Sequence, residues 1–397
     1  MKGSLIKRSP CSWSAVIELG RDPITGKRRQ KWYTVAGNKK DAQRELTRLL
    51  HSLDTGCYVD PTKLTVRDYL EKWLADYAKT NVGAKTFHRY QEIVRLHLVP
   101  ALGAYPLNKL QPLNIQSYYT HALEAGRLPK GPKNPPEEKR GLSEQTVLHH
   151  HRVLHDALHR AVRWQLLVTN PVDRVEPPRP RRKEVNAPDE SQAARLLAMA
   201  EGTPLYIPAV LAVCTGARRG EILAIRWSDL DLETGVLMVR RSLQQTPEGL
   251  SFKEPKNGRV RRIDLPALAV EALKLHRGEE RKQKELLGES YQDLDLVCCH
   301  EDGSLWRPES FSPAFSKFAR LIGLKSLRYH DLRHGHASQL LKAGIHVKAI
   351  SERLGHATCA FTLDVYGHLL PGIQQEAARK VDAALRYALE KERPTVA

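Results

Sequence analysis

The spacing of apolar positions changes character along the chain. Trp13, Ala15 and Ile17 alternate with Ser14, Val16 and Glu18, which predicts a strand over 13–18. Asp22–Arg28 (DPITGKR) carries Pro and Gly and reads as a turn. Lys31–Val35 is a second β-prone run with Trp32, Tyr33 and Val35. The spacing then becomes helical over Lys39–Leu53, with Ala42, Leu46, Leu49, Leu50 and Leu53 on one face. Two or three strands and one helix make a small module over 1–60, too small to be more than marginally stable alone.

Helical spacing dominates from 61 to 176. A helix is predicted over Val66–Tyr77, capped by Thr65, with Tyr69, Leu70, Trp73 and Leu74 on one face. Others are expected over Lys85–Leu98, ending near Pro100, over Pro112–Glu124, and over Ser143–Trp164, capped by Ser143 and followed by the stop signal Asn170-Pro171. Gly126–Arg140, rich in Pro, Lys and Gly, reads as a loop or insertion. The run EPPRPRRK at Glu176–Lys183 marks a boundary, with a linker at 177–184. The remainder, 185–397, is mixed. Helices are expected at 189–200, 204–214, 218–227, 266–286, 309–322, 331–343, 346–353 and 371–391, and β-prone runs at 235–241 and 260–265. No solenoid repeat is visible. The fold class is α+β and multidomain: a small β-sheet/helix N-terminal domain, an all-α domain, and a mixed, mainly α C-terminal domain.

Charge narrows the function. The 397 residues hold 63 Lys and Arg against 45 Asp and Glu, a net +18. Residues 1–60 carry 12 basic and 6 acidic residues, and 61–180 carry 18 and 11, so most of the excess lies in under half the chain. Such a balance favours a polyanionic partner, nucleic acid above all. With a mean hydropathy of −0.47 and no long apolar run, a membrane span is not expected. The N-terminus lacks the apolar core of a secretion signal. Cys11, Cys57, Cys214, Cys298, Cys299 and Cys359 form no C-x-x-C pair and read as reduced thiols in a cytoplasm.

Four clusters after residue 185 carry candidate chemistry. In Thr215-Gly216-Ala217-Arg218-Arg219-Gly220-Glu221, a Gly turn leads into the helix expected to end near Trp227, placing Arg218 at a helix N-terminus suited to an anion. The bland alternative is a surface arginine beside a turn. In HDLRHGHAS, His330 and Arg333 are at i and i+3, on one helix face, where an imidazole and a guanidinium would meet the same ligand atom. His330, Asp331 and His334 also mimic a zinc motif, but Arg333 inside it would repel a dication. His334 and His336 read as packing or hydrogen-bonding residues. In LGHATCAFTLDVYGH, Gly355-His356 precedes Tyr366 by ten residues. A phenol, with a pKa of about 10, needs nearby cations to serve as a nucleophile. Lastly, Asn257-Gly258 is a hairpin signal that would put Lys256 on a tight turn, within reach of a leaving alkoxide. Lys253 competes for that role. His151, His155 and His159, at i, i+4 and i+8, read as a solvated or DNA-facing stripe, with metal binding as the rival.

The ordered set Arg218, Lys256, His330, Arg333, His356 and Tyr366, with the wording around each, resembles the tyrosine recombinase (phage integrase) family over about 185–391. AVRWQLLVTNP at Ala161–Pro171 looks like the end of that family's core-binding domain. Residues 1–60 are similar, more loosely, to the arm-site-binding domains of integrases. The resemblance implies that Tyr366 attacks a phosphodiester to form a 3′-phosphotyrosyl link and that Arg218 and Arg333 clamp the non-bridging oxygens. It implies that Lys256 protonates the 5′-oxygen, His330 accepts the tyrosine proton and His356 donates a hydrogen bond to the phosphate. Glu221 and Asp331 would orient cations or backbone. Asn257-Gly258-Arg259 departs from the Thr/Ser-rich turn usual after the lysine.

By the same resemblance the enzyme integrates, and in some settings excises, a mobile element such as a prophage or integrative plasmid, with no metal, nucleotide or other cofactor. Its partners would be double-stranded DNA at attachment sites and three further copies in a tetramer, with an excisionase or a DNA-bending host factor as accessories and no membrane. The apolar stripe Ile373, Ala377, Val381, Ala384, Leu385 and Ala388 would either pack on its own domain or dock on a neighbouring copy. Two alternatives stay open: a type IB topoisomerase-like nicking enzyme, and a non-catalytic DNA-binding regulator of the same fold.

Overall fold

The alternation at 13–18 becomes the middle strand of a three-stranded antiparallel sheet in the order β1 (Gly3–Ser9), β2 (Ser12–Arg21), β3 (Arg28–Ala36). The computed structural model describes residues 3–21, 25–55, 63–128, 140–181, 187–255, 258, 260–366 and 373–391, with the side chains of 373, 374, 376, 377, 390 and 391 excepted. The chain divides into two units, Met1–Arg181 and Arg182–Ala397, and the division falls inside the stretch 177–184.

In the first unit, α1 (Lys39–Asp54) starts at a capping box: Asn38 Oδ1 accepts the N–H of Lys40 and Asp41, and Asp41 returns a bond to the Asn38 N–H. Its Ala42, Leu46 and Leu49 form an apolar core with Ala15 and Ile17 of β2. Ser14 and Val16, on the opposite face, are also buried. Val16 pairs across to Trp32 and Ser4, and Arg8 Nε donates to Ser14 Oγ at 3.1 Å. β1 escaped the sequence reading because an edge strand, exposed at six of seven positions, needs no apolar alternation.

α2 (Val66–Trp73) begins at Thr65, whose hydroxyl accepts the Asp68 N–H. It passes through a π-helical turn, Leu74–Ala78, into α3 (Lys79–Asn81). α4 (Ala84–Ile93) likewise passes through Val94–Leu98 into α5 (Val99–Leu102), so the helix runs through Pro100 and ends close by, at Leu102. The widened turn has already interrupted the i→i−4 ladder there, and the missing proline N–H costs little. α6 (Pro112–Ala125) and α7 (Glu144–Arg163) complete the bundle around Tyr69, Trp73, Tyr119, Leu154 and Leu158.

The α7 histidines are tied down rather than simply solvated. His150 Nδ1 bonds the Tyr118 hydroxyl at 2.8 Å, and His151 Nδ1 bonds that of Tyr119 at 3.0 Å. His155 Nε2 bonds Asp173 at 2.9 Å, and exposed His159 stacks on His155. Among the described residues no group of three His, Cys, Asp or Glu side chains is placed to hold a metal ion.

The second unit is built on α8 (Glu190–Ala200) and α9 (Tyr206–Thr215), the latter buried at seven of ten positions. The helix expected at 218–227 is a single turn, α10 (Arg219–Ile222), because buried Ile222–Ile225 and the Arg226 N–H bond to Asp229 fold the chain over. β4 (Leu230–Asp231), β5 (Val236–Val239) and β8 (Arg261–Asp264) form one sheet; β6 (Ser242–Thr246) and β7 (Gly249–Lys253) form a separate hairpin. The expected hairpin at Asn257-Gly258 is therefore corrected. The strands on either side of it belong to different sheets, β8 pairing with β5 and β7 with β6. Lys256, Asn257 and Arg259 lie outside the described residues, as does Cys57; Lys253 ends β7, exposed.

Then follow α11 (Ala267–Leu287), α12 (Pro308–Leu321), α13 (Tyr329–Lys342), α14 (Val347–Leu354), α15 (Cys359–Tyr366) and α16 (Ile373–Lys391). Residues 378–389 of α16 are exposed throughout, Val381 and Leu385 included, so this stretch does not pack on its own domain. No helix among the described residues is long and apolar enough to cross a membrane.

Candidate active site

Thr215 Oγ1 donates to the Leu211 carbonyl and accepts the Ala217 N–H, turning the end of α9. Gly216 then adopts φ +63, and a Cβ there would stand 2.6 Å from Leu354 and 2.7 Å from His336. Its carbonyl accepts from Arg333 Nη1 at 2.7 Å, while Arg333 Nη2 donates to the Leu354 carbonyl at 2.8 Å. Arg218 Nη2 donates to the next carbonyl, that of Gly355, at 2.9 Å. Two guanidinium groups from distant stretches thus grip consecutive carbonyls at the end of α14, immediately before His356.

Glu221, 1% exposed, holds this arrangement together. It accepts the Arg218 N–H at 2.8 Å and Nη1 at 3.0 Å, and Arg261 binds it through two nitrogens at 3.1 and 2.6 Å. Burial pushes its carboxyl up, but the Arg261 pair and Arg218 outweigh that and hold it below the usual range. The helix N-terminus to which the sequence assigned Arg218 is thus a short one: α10 has four residues, and the Arg218 N–H is taken by Glu221.

Tyr366, at the end of α15, is 1% exposed and packs with Ala337, Leu341, Ile350 and Leu354. Its hydroxyl meets His334 Nδ1 at 2.6 Å. The residue on the phenol is therefore His334, not His330, whose ring lies edge-on to that of His334 at 5.0 Å between centroids. His356 Nδ1 bonds the buried Thr362 hydroxyl at 2.8 Å. Asp331, fully buried, accepts the amide and guanidinium of Arg328, so it caps α13 rather than binding a cation at the site centre.

Two family models match the chain: the phage integrase family over residues 187–372, and the phage integrase N-terminal SAM-like domain over 65–123. This chain belongs to the tyrosine recombinase (phage integrase) family. The tyrosine recombinase is 24% identical over 391 residues to a XerC-like tyrosine recombinase of Caldanaerobacter subterraneus, covering 93% of this chain and 95% of that one. Its fold matches the Tn1549 transposon integrase in complex with a circular intermediate DNA, with TM-score 0.65, 19% identity and coverage of 80% of this chain and 99% of that one. It also matches a lambda integrase tetramer bound to a Holliday junction, with TM-score 0.57, 19% identity and coverage of 91% and 94%.

The recombinase keeps its site histidines neutral. Burial, then the neighbouring Arg333 and Arg218, pulls His356 down to about 3. Burial and His330 pull His334 down to about 4. Burial pushes Tyr366 up to about 12, against the pull of Arg333. Burial and the Arg218 charge also weigh against the Arg333 guanidinium, which its two carbonyl acceptors compensate.

Arg261 was the residue the sequence left without a role. Its signal was alternation: Arg261 and Ile263 face inward on β8, Arg262 and Asp264 outward. An inward arginine demands a buried carboxylate, and Glu221 is it. Arg353 and His336 form a second hidden brace. His336 Nδ1 donates to the Val213 carbonyl, Nε2 accepts from Arg353 Nε at 3.0 Å, and Arg353 reaches the Cys214 and Asp264 carbonyls.

Proposed function

We propose that this site-specific recombinase integrates, and excises, a mobile element by transesterification through Tyr366. The observation that carries the reading is the convergence at one turn: Arg333 on the Leu354 carbonyl, Arg218 on that of Gly355, His356 next in chain, and Tyr366 held by the residue after Arg333. A phosphate entering there meets two guanidiniums in place of bulk water.

Tyr366 attacks the scissile phosphorus, forming a 3′-phosphotyrosyl bond and releasing a 5′-hydroxyl. Arg218 and Arg333 bind the non-bridging oxygens, where the negative charge of the phosphorane grows. His330, exposed on the same face of α13 as Arg333, donates to a phosphate oxygen. With its Nδ1 bonded to Thr362, His356 donates a hydrogen bond from Nε2 to the phosphate. Lys256 protonates the 5′-oxygen. Glu221 and Asp331 position Arg218 and the start of α13. The released hydroxyl later attacks the phosphotyrosine, so the bond energy is conserved and no cofactor enters.

The 1–60 module supplies a second DNA contact at arm-type sites. Exposed Trp32, with Arg8 5.0 Å over its ring, and exposed Arg28 and Arg29 support this. Residues 61–176 bind the core site. α16, exposed along 378–389, docks on a neighbouring copy and closes a tetramer, the state in which lambda integrase is bound to its Holliday junction.

The test is a nicked attachment-site duplex, its sequence taken from the junctions that flank the element. Wild-type protein accumulates a covalent protein–DNA adduct, and Tyr366→Phe accumulates none. An adduct in Tyr366→Phe would remove Tyr366 as nucleophile. A wild type that binds the site without forming adduct would make the chain a DNA-binding regulator.

A further inference from the structure

We propose that His334 is the general base of this recombinase, its Nδ1 receiving the Tyr366 proton as the phenolic oxygen attacks. The inference rests on the reading of Tyr366 as nucleophile and assigns the proton that reading leaves to be placed. Its geometry is direct. His334 Nδ1 lies 2.6 Å from the hydroxyl, within proton-transfer reach. The other imidazoles at the site are differently occupied: His356 Nδ1 is bonded to Thr362, and His330 meets the edge of the His334 ring rather than the phenol.

The chemistry of the pair supports the assignment. The hydroxyl is buried and stays protonated at neutral pH, so attack needs a partner that removes its proton. The His334 ring stays neutral there, and the step requires its proton on Nε2, which leaves the Nδ1 lone pair to accept from the phenol. His330, Arg333 and Arg328 oppose its protonation, and Asp331 favours it. An arriving phosphodiester offsets the guanidinium charges and raises the imidazole's proton affinity. The phenolic oxygen loses its own proton affinity as it bonds to phosphorus, so the transfer becomes downhill during attack.

The step balances. The Tyr366 O–P bond forms, the P–O5′ bond breaks, and the 5′-oxygen takes a proton from Lys256. The phenolic proton stays on His334 Nδ1 as imidazolium and returns during religation.

Single-turnover adduct formation on the nicked attachment-site duplex, between pH 5.5 and 9 at saturating protein, tests this. His334→Asn places an amide oxygen near the former Nδ1, preserving the acceptor without the basicity. The expected result is adduct formation slower by about 100-fold or more, with a rate that rises about tenfold per pH unit as hydroxide takes over. Wild type stays flat from pH 6 to 8. His334→Ala slows equally and is partly rescued by added imidazole.

A His334→Asn rate within about threefold of wild type, with a flat profile, would reduce His334 to a positioning residue and overturn the proposal. A His334→Ala variant faster than wild type would overturn it in the other direction, making His334 a restraint on the tyrosine. Failure of wild type itself to form adduct overturns the nucleophile reading first, and is recognised because it appears without any variant.

Discussion

The molecule buries the same chemical pair in both of its units. In the first, Tyr118 and Tyr119 bond His150 and His151; in the second, Tyr366 bonds His334. In each pair burial depresses the imidazole and raises the phenol, with His150 at about 3 and His334 at about 4. What separates them is the neighbouring charge. Burial is the leading influence on Tyr118 and Tyr119, and no cation pulls either phenol down. Arg333 pulls on Tyr366, and Arg218 stands one carbonyl away from Arg333. A buried tyrosine–histidine bond with no cation beside it is a packing device; the guanidiniums around Tyr366 are what set its pair apart and support the proposed chemistry.

Substitution should break this comparison most sharply at the phenols. Tyr366→Phe should leave no adduct on the nicked duplex. Tyr118→Phe and Tyr119→Phe should keep adduct formation within about threefold and lower stability by about 1–2 kcal/mol each in urea melts, the cost of an unpaired buried imidazole. Loss of the adduct in Tyr118→Phe at unchanged stability would erase the distinction.

Removing a cation comes next. Arg333→Gln should slow cleavage by about 100- to 1,000-fold, the range for one lost oxyanion donor, measured at saturating protein. Arg261→Met should act differently, because Arg261 touches Glu221 rather than the phosphate. It strips buried Glu221 of its two-nitrogen partner, so destabilisation of about 3 kcal/mol is expected. A calorimetric scan distinguishes the two.

Acid sharpens the comparison. His150, His334, His336 and His356 have folded-state pKa values lowered to about 3–4. Below about pH 6.5 the unfolded chain takes up protons that the folded chain refuses, so stability falls with pH, each histidine adding at most about 1.4 kcal/mol per pH unit. Half-buried His334 and His356 contribute less than that bound. Melts at pH 7.5 and 5.0 should show the loss, and His150→Asn should flatten it without changing adduct formation. A pH-independent melting temperature would contradict the buried neutral state.

The smallest effect is expected at the surface. Arg28→Ala with Arg29→Ala should leave adduct formation on a core-site duplex within about threefold while weakening and flattening the salt dependence of arm-site binding. Equal losses at both sites would take the arm role from the sheet.

Chemistry that depends on residue order was legible before folding. Arg218, Arg333, His356 and Tyr366 stand in recognisable local runs, and the caps Thr65 and Ser143 announce their own helices. Contacts between distant stretches were not. Arg261 reads as one more cation in a basic strand until Glu221 lies opposite it. Asn257-Gly258 is a turn signal, yet hydrogen-bonding partners earlier in the chain, β5 and β6, claimed the two flanking strands. The spacing put His330 on the face of Arg333 and left His334, the next residue after it, as a packing or hydrogen-bonding residue. Which imidazole meets the phenol depends on where α15 lands against α13. The sequence by itself determined the family, most of the helices and the candidate groups of the site, because periodicity, capping and motif spacing act over a few residues. Tertiary structure alone decided the pairings — Arg261 with Glu221, His334 with Tyr366 — because a buried charge or proton takes its partner from whatever the packing brings within hydrogen-bond distance.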